Sequence, residues 1–128
     1  MIVRREFRFE ASHVLPRHPG RCKRLHGHSY KLVIEVAGDI EPKQGMVIDF
    51  EALDSIVNER VLSRLDHHHM NDIIENPTAE NLSVWIWGEL TRDLPGLVSC
   101  ELFETEGASV ICRAEDAQKA ARGDRASV

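Results

Sequence analysis

Two stretches of this chain alternate apolar and polar side chains, and no other feature of the sequence constrains the fold so strongly. They span about residues 2–13 and 26–37. Successive side chains of a β-strand point to opposite faces, so each stretch predicts a strand with one apolar face. The apolar faces hold Val3, Phe7, Phe9, Ala11 and His13 in the first strand, and His26, His28, Tyr30, Leu32, Ile34 and Val36 in the second.

Three histidines fall on these apolar faces. His13 ends the first strand, and His26 and His28 begin the second, two residues apart. If the two strands pair, the three imidazoles converge where water is scarce. Three histidine ligands with one open position are typical of catalytic rather than structural zinc. The alternative is two hydrogen-bonded histidines in a turn and a third at a strand end.

Size and charge limit the classes of protein that fit. The chain has 128 residues, enough for one domain with its own core. Its formal net charge of −5 argues against a nucleic-acid partner, because phosphate contacts favour basic surfaces. No apolar run approaches the roughly 20 residues of a membrane span, and the first residues lack the apolar core of a signal peptide. We therefore expect a cytoplasmic protein whose three cysteines are reduced thiols, with no membrane partner.

The rest of the chain predicts two helices and a second hairpin. Asp49 is a good N-cap for the first helix, and Thr78 begins the second. Glu106-Gly107 predicts the hairpin turn. The expected elements are strands over about 2–13, 26–37, 97–105 and 108–113, and helices over about 49–65 and 76–95.

The order β-β-α-α-β-β predicts an α+β fold, with one antiparallel sheet and both helices on one face. We expect a single domain over residues 1–114 and a polar tail over 115–128, as a frayed helix or a disordered segment. Tyr30, Leu32 and Ile34 would form an exposed apolar patch in a monomer. Closing several sheets into a shared barrel would cover that patch, which predicts a homo-oligomer.

Cys22 lies four residues before His26 and is surrounded by cations. Nearby positive charges lower a thiol pKa and favour the thiolate, which fits a nucleophile or base beside the metal. A fourth metal ligand and a loop cysteine without a role are the alternatives. The same cations either attract an anionic substrate or form a solvated loop. They are Arg17, Arg21, Lys23 and Arg24.

Two carboxylates are further candidates. Asp66 precedes His67, and a carboxylate beside an imidazole suits proton transfer. The alternatives there are a helix end with histidines on its C-terminal dipole, or a second metal site. His68 and His69 follow without an assigned role. Glu104 ends an apolar strand face, where a ligand donating two hydrogen bonds, or a salt bridge to an arginine, would satisfy its charge.

Five motifs in this order resemble the 6-pyruvoyltetrahydropterin synthase family, over residues 2 to about 113. Three residues separate Cys22 from His26, a spacing that resembles the queuosine-pathway branch, 6-carboxytetrahydropterin synthase. Five intervening residues would resemble the tetrahydrobiopterin enzymes. The motifs are Phe9-Glu10-Ala11-Ser12-His13, Cys22-Lys23-Arg24-Leu25-His26-Gly27-His28, Leu65-Asp66-His67, Glu75-Asn76-Pro77-Thr78-Ala79-Glu80-Asn81 and Phe103-Glu104-Thr105.

The resemblance implies a tunnelling fold, in which trimers close a barrel and two trimers stack as a homohexamer with active sites at subunit interfaces. It implies a zinc cofactor and the conversion of 7,8-dihydroneopterin triphosphate to 6-carboxy-5,6,7,8-tetrahydropterin, with release of acetaldehyde and triphosphate. The alternatives are triphosphate elimination without side-chain cleavage, as in 6-pyruvoyltetrahydropterin synthase, and a non-catalytic zinc- or pterin-binding protein. The implied roles are zinc ligands for His13, His26 and His28, a catalytic base for Cys22, proton transfer for Asp66 and His67, an anchor of the pterin ring for Glu104, and substrate binding for Thr78.

Overall fold

A five-stranded sheet forms one layer of the structure and helices form the other. The computed structural model describes the backbone of residues 1–126 and the side chains of residues 1–123. The strand order is β3-β1-β2-β4-β5. The elements are β1 (Ile2–His13), β2 (His26–Ala37), α1 (Phe50–Val57), a π-helical turn (Asn58–Leu62), α2 (Ser63–Leu65), β3 (His68–His69), α3 (Ala79–Thr91), β4 (Leu97–Thr105), β5 (Ala108–Cys112) and α4 (Ala114–Ala126).

The predicted order of the two hairpins and the two helical regions is confirmed, and so is the α+β fold class. One strand was not predicted: the two-residue β3 pairs in parallel with the end of β1, so the sheet is not wholly antiparallel. A two-residue strand is too short to show an alternation of apolar and polar residues in the sequence. Its pairing depends on where the preceding helix ends. β3 places His68 beside Ala11 and His69 beside Ser12.

The register of β1 and β2 matches the alternation in the sequence. The two strands pair antiparallel, with His13 opposite His26 and Ala11 opposite His28. Phe9 lies opposite Tyr30, and their rings stack with centroids 4.9 Å apart. The two predicted apolar faces therefore lie on the same side of the sheet, while Ile2 and Val33 face the other side.

Helices cover that side within a single chain. Leu53 and Val57 of α1 and Leu82 and Ile86 of α3 are fully buried against the sheet. The expected exposed patch is wrong: Tyr30, Leu32 and Ile34 are buried under these helices. The opposite face is mainly polar, so the apolar patch gives no reason for assembly and the oligomer remains a prediction. The charged residues on that face are Arg4, Glu6, Arg8, Glu10, Lys31, Glu35 and Glu101.

The helices begin at the predicted caps. The carboxylate of Asp49 accepts a hydrogen bond from the Glu51 amide at 3.1 Å, and the Thr78 hydroxyl accepts one from the Asn81 amide at 3.1 Å. The first helix is interrupted by the π-helical turn and ends at Leu65. The apolar period alone does not reveal such a turn, because one wider turn leaves the buried stripe nearly in place.

The second hairpin turns at Glu106-Gly107, as predicted. Gly107 has a φ of 86°, which glycine adopts without steric strain. Beyond β5, α4 forms the described part of the polar tail, and Ala117 packs against the core. Residues 127–128 of the predicted tail lie outside the described residues. Among the described helices, each is too short or too polar to cross a membrane.

Candidate active site

The three histidines on the paired strands meet at one end of the sheet. His13 is fully buried, and His26 and His28 are half-buried. One ring nitrogen from each lies within 4.8 Å of the corresponding nitrogens of the other two. Nε2 of His13 and Nε2 of His26 are 2.9 Å apart. Strand parity therefore places the three imidazoles together, as the sequence predicts.

Backbone carbonyls determine which nitrogens of two of these rings carry a proton. Nδ1 of His13 is 2.9 Å from the carbonyl oxygen of Pro77, and Nδ1 of His26 is 2.7 Å from that of Arg24. A carbonyl can only accept, so each Nδ1 donates and each Nε2 presents a lone pair. Two nitrogen atoms 2.9 Å apart whose lone pairs face each other repel unless a cation lies between them. This arrangement fits a metal ion.

His28 contributes a nitrogen that has no hydrogen-bond partner among the described residues. Its Nε2 is buried and lies 3.2 Å from Oε1 of Glu104, but the geometry does not allow a hydrogen bond. Leaving a buried polar atom unpaired is unfavourable by about 1–3 kcal/mol. A metal ion would satisfy this nitrogen together with the two Nε2 lone pairs. Three imidazoles with an open side suit zinc.

The local environment keeps the ligands neutral. Burial lowers the pKa of His13 and of His28, and the nearby imidazole of His26 lowers both further. Glu104 opposes this shift at both residues. Neutral imidazole is the form that binds a metal ion, so burial prepares the cluster for metal.

Glu104 and Tyr30 lie beside the cluster. Glu104 lies near the end of β4 with its side chain 27% exposed, at the rim position that the strand pattern predicts. The Tyr30 hydroxyl is 3.3 Å from Nδ1 of His13, and burial raises the pKa of Tyr30 strongly. The phenol therefore stays neutral beside the cluster. Tyr30 was missed from the sequence as a site residue, although it shares the strand face of His26 and His28.

Cys22 lies beside the cluster but outside it. It is half-buried in a single 3-10 turn, Arg21–Lys23. The amide of Leu15 donates to the Cys22 carbonyl at 2.9 Å. This hydrogen bond folds the loop back, so that Cys22 lies opposite Leu15, two positions after His13. Among the described residues, the group that could hold a metal contains the three histidines and not Cys22.

Asp66 and His67 lie at the edge of β1. Asp66 Oδ1 accepts from the Glu10 amide at 2.9 Å and is 3.0 Å from Nδ1 of His67. The hydrogen bond from Glu10 and the contact with His67 lower the pKa of Asp66. His67 has a φ of 59°, an uncommon conformation for a residue other than glycine, and its side chain is 79% exposed. The carboxylate therefore orients an imidazole that faces solvent.

A shallow depression of about 440 Å³ lies beside His67 at the ends of β1 and β2. His67 and His28 both line it. His68 and His69 also line it, and their own contacts are structural: Nδ1 of His68 donates to the Asp66 carbonyl at 2.7 Å, and Nδ1 of His69 is hydrogen-bonded to the Ser12 hydroxyl at 3.0 Å. In one chain, no hydrogen bond or ion pair among the described residues joins His67 to Cys22.

Asn71 is a second residue that the sequence did not indicate. Its side-chain oxygen accepts from the Val14 amide, and its side-chain nitrogen donates to the Val14 carbonyl, both at 2.8 Å. Val14 directly follows the metal-ligand candidate His13. Asn71 therefore holds the end of β1, and only the three-dimensional structure reveals this contact.

Comparison with known proteins identifies the family. The sequence pattern of the family described as 6-pyruvoyl tetrahydropterin synthase matches residues 2–115. This chain belongs to that family. The resemblance seen in its motifs is thereby confirmed.

Members of the 6-pyruvoyl tetrahydropterin synthase family resemble this chain in sequence and in fold. The 6-carboxy-5,6,7,8-tetrahydropterin synthase of Synechocystis sp. is 42% identical over 111 residues, which cover 81% of this chain and 86% of the relative. A putative 6-carboxy-5,6,7,8-tetrahydropterin synthase of Archaeoglobus fulgidus is 41% identical over 92 residues, 72% of this chain and 77% of the relative. The structure of Caenorhabditis elegans 6-pyruvoyl tetrahydropterin synthase matches with a TM-score of 0.82 at 22% identity, covering 89% of this chain and 95% of that one. The predicted tunnelling fold of the chain is confirmed.

Proposed function

We propose that this protein is a zinc-dependent carbon–carbon lyase of queuosine biosynthesis. It converts 7,8-dihydroneopterin triphosphate and water to 6-carboxy-5,6,7,8-tetrahydropterin, acetaldehyde and triphosphate. The observation that carries the proposal is the cluster of His13, His26 and His28, with an unpaired buried nitrogen on His28 beside the carboxylate of Glu104. The names of the Synechocystis and Archaeoglobus relatives support the choice of product.

Zinc bound by the three histidines would polarise the hydroxyls of the substrate side chain and make the adjacent C–H bonds more acidic. Cys22 acts as the base that removes the carbon-bound proton. Asp66 holds Nδ1 of His67 and leaves the outer nitrogen of that exposed ring free to carry a proton.

The remaining residues bind and orient the substrate. Glu104, partly exposed at the rim, accepts two hydrogen bonds from the N–C–N edge of the pterin. Thr78 is proposed as a substrate-binding residue; its hydroxyl accepts from the Asn81 amide and can still donate one hydrogen bond. The active site is completed at a subunit interface of a homohexamer; in support, no hydrogen bond or ion pair among the described residues joins His67 to Cys22 within one chain.

The first test is to incubate the zinc-loaded protein with 7,8-dihydroneopterin triphosphate and to assay acetaldehyde together with the reduced pterin. Acetaldehyde with 6-carboxytetrahydropterin is the expected result. Triphosphate and a pyruvoyl pterin without acetaldehyde would reassign the activity to 6-pyruvoyltetrahydropterin synthase. An absence of substrate consumption by the folded, zinc-loaded protein would contradict the enzymatic proposal and favour a binding protein.

A further inference from the structure

The segment around the cluster contains no acidic residue over a long distance. Residues 11–34 include no Asp or Glu, although the chain has 21 of them and a net charge of −5. The acidic residues resume immediately outside it, at Glu10 and Glu35. The cations within the segment are Arg17, Arg21, Lys23, Arg24 and Lys31.

Four of these cations lie on a loop that is anchored to the metal-ligand candidates at both ends, and Arg21, Lys23 and Arg24 lie together at its 3-10 turn. The loop leaves β1 after His13 and enters β2 at His26. Two backbone hydrogen bonds shape its turn. The Lys23 amide donates to the Gly20 carbonyl at 3.2 Å, and the Arg24 amide donates to the Arg21 carbonyl at 3.0 Å. The Arg24 carbonyl also accepts from Nδ1 of His26. The position of the turn is therefore linked directly to the cluster.

The cations of this turn are not neutralised by the protein. Arg21, Lys23 and Arg24 are exposed, and none of them forms an ion pair with a residue that the structure describes. Other arginines are paired: Arg5 binds Asp54 and Arg60 binds Asp93, both at 2.8 Å, and Arg17 on the same loop lies 3.7 Å from Glu75. Unpaired cations around a cleft raise the local concentration of anions and form strong hydrogen bonds with phosphate oxygens.

We propose that Arg21, Lys23 and Arg24 form the subsite for the triphosphate of the substrate; this inference rests on the proposed function and extends it. The triphosphate is attached to the side-chain carbon next to those whose hydroxyls would lie at the histidine cluster. We place it at the loop that carries Cys22, because this loop joins His13 to His26 and carries the three unpaired cations. When Cys22 removes the proton from the neighbouring carbon, the C–O bond breaks and triphosphate leaves with the electron pair, stabilised by the same cations.

The subsite also predicts specificity. Arg21 precedes Cys22, and Lys23 and Arg24 follow it. Three cations can bind several linked phosphates at once, whereas a single phosphate can contact only one or two of them. Triphosphate should bind more tightly than monophosphate. The difference should disappear when the three charges are removed.

The test compares two triple variants with equal net charge. In the loop variant, Arg21, Lys23 and Arg24 are each replaced by Gln. In the control variant, three exposed cations outside the loop are replaced by Gln: Lys43, Arg92 and Arg113. Binding of inorganic triphosphate and of inorganic phosphate to each zinc-loaded protein is measured by calorimetry at low and moderate salt, and zinc content is measured in parallel.

We expect the loop variant to keep its zinc and to bind triphosphate about tenfold to 100-fold more weakly, with a smaller salt dependence. The control variant should stay within about twofold of the unmodified protein. For turnover, the loop variant should show a higher KM for the pterin triphosphate. Triphosphate affinity equal in the two variants would overturn the inference.

Direct binding separates failure of the inference from failure of the proposed function. If the unmodified protein turns over the substrate but the loop variant retains KM and triphosphate affinity, the inference is wrong and the proposed function stands. If triphosphate binds through the loop while no pterin is converted, the anion subsite stands and the proposed reaction is wrong. If the loop variant loses zinc, the three single variants are measured in the same way, and unchanged triphosphate affinity in all three would overturn the inference.

Discussion

At the scale of single residues, the cluster and Cys22 have separable roles. His28 has a buried nitrogen without a hydrogen-bond partner among the described residues and belongs to the group that could hold metal, whereas Cys22 lies outside that group. We predict that Cys22→Ala keeps zinc and loses turnover, and that His28→Ala loses both. Metal analysis of the two purified variants, with a turnover assay, tests this. A metal-free Cys22 variant would show that the thiol is a ligand.

The buried histidines also predict how stability depends on pH. In the metal-free protein, the pKa values of His13 and His28 are lowered in the folded state, so the unfolded chain binds protons at a higher pH than the folded one. The free energy of unfolding should therefore decrease as the pH falls below about 6.5, the ordinary pKa of histidine, and continue to decrease until the folded pKa values are passed. Urea unfolding in the presence of a chelator, at a series of pH values, measures this dependence.

A matched pair of variants assigns that dependence to the cluster. Replacing His13 and His28 by Gln should flatten the pH profile below about 6.5, the ordinary pKa of histidine. Replacing the exposed His18 by Gln should leave the profile unchanged. An equally steep profile in the cluster variant would contradict the assignment.

At the scale of elements, Asn71 connects the 3-10 turn Met70–Asp72 to the end of β1. Its two hydrogen bonds hold the backbone of Val14 next to His13. We predict that Asn71→Ala lowers the free energy of unfolding by about 1–3 kcal/mol and weakens zinc binding, because the end of the strand loses both bonds. Urea unfolding of the metal-free protein and zinc competition with a chelator measure the two effects.

The variant Asn71→Asp separates the effects of the two hydrogen bonds. An aspartate can still accept from the Val14 amide but cannot donate to the Val14 carbonyl. We therefore expect the free energy of unfolding of Asn71→Asp to lie between that of the wild type and that of Asn71→Ala. If both variants match the wild type in stability and zinc affinity, Asn71 does not hold the strand end.

At the scale of the whole molecule, the proposed homohexamer predicts active sites that are shared between subunits, since no hydrogen bond or ion pair among the described residues joins Cys22 to His67 within one chain. Cys22→Ala and His67→Ala should each be inactive alone. If each site takes the two residues from different subunits, refolding an equal mixture should restore up to about a quarter of the wild-type activity. Half of the chains supply an intact Cys22 and half supply an intact His67. One site in about four therefore receives both intact residues.

The mass of the assembly is measured on the same samples. We expect a hexamer of the 14.5 kDa chain by light scattering. Each inactive variant refolded alone serves as the control. Failure to recover activity in mixtures that form hexamers would show that the sites are not shared in this way.

The sequence by itself determined the features that depend on local periodicity. Strand alternation fixed the shared face of His13, His26 and His28, and cap residues located the starts of α1 and α3. These predictions succeed because side-chain direction along a strand and capping at a helix end depend on neighbouring residues in the chain.

Only the tertiary structure decided the features that depend on residues distant in sequence. The carbonyl of Pro77 orients His13 from 64 positions away, and the Glu10 amide holds Asp66 from 56 positions away. The sequence showed which sheet face is apolar, but not that helices of the same chain already cover Tyr30. Such contacts follow from packing of whole elements, which no local pattern encodes.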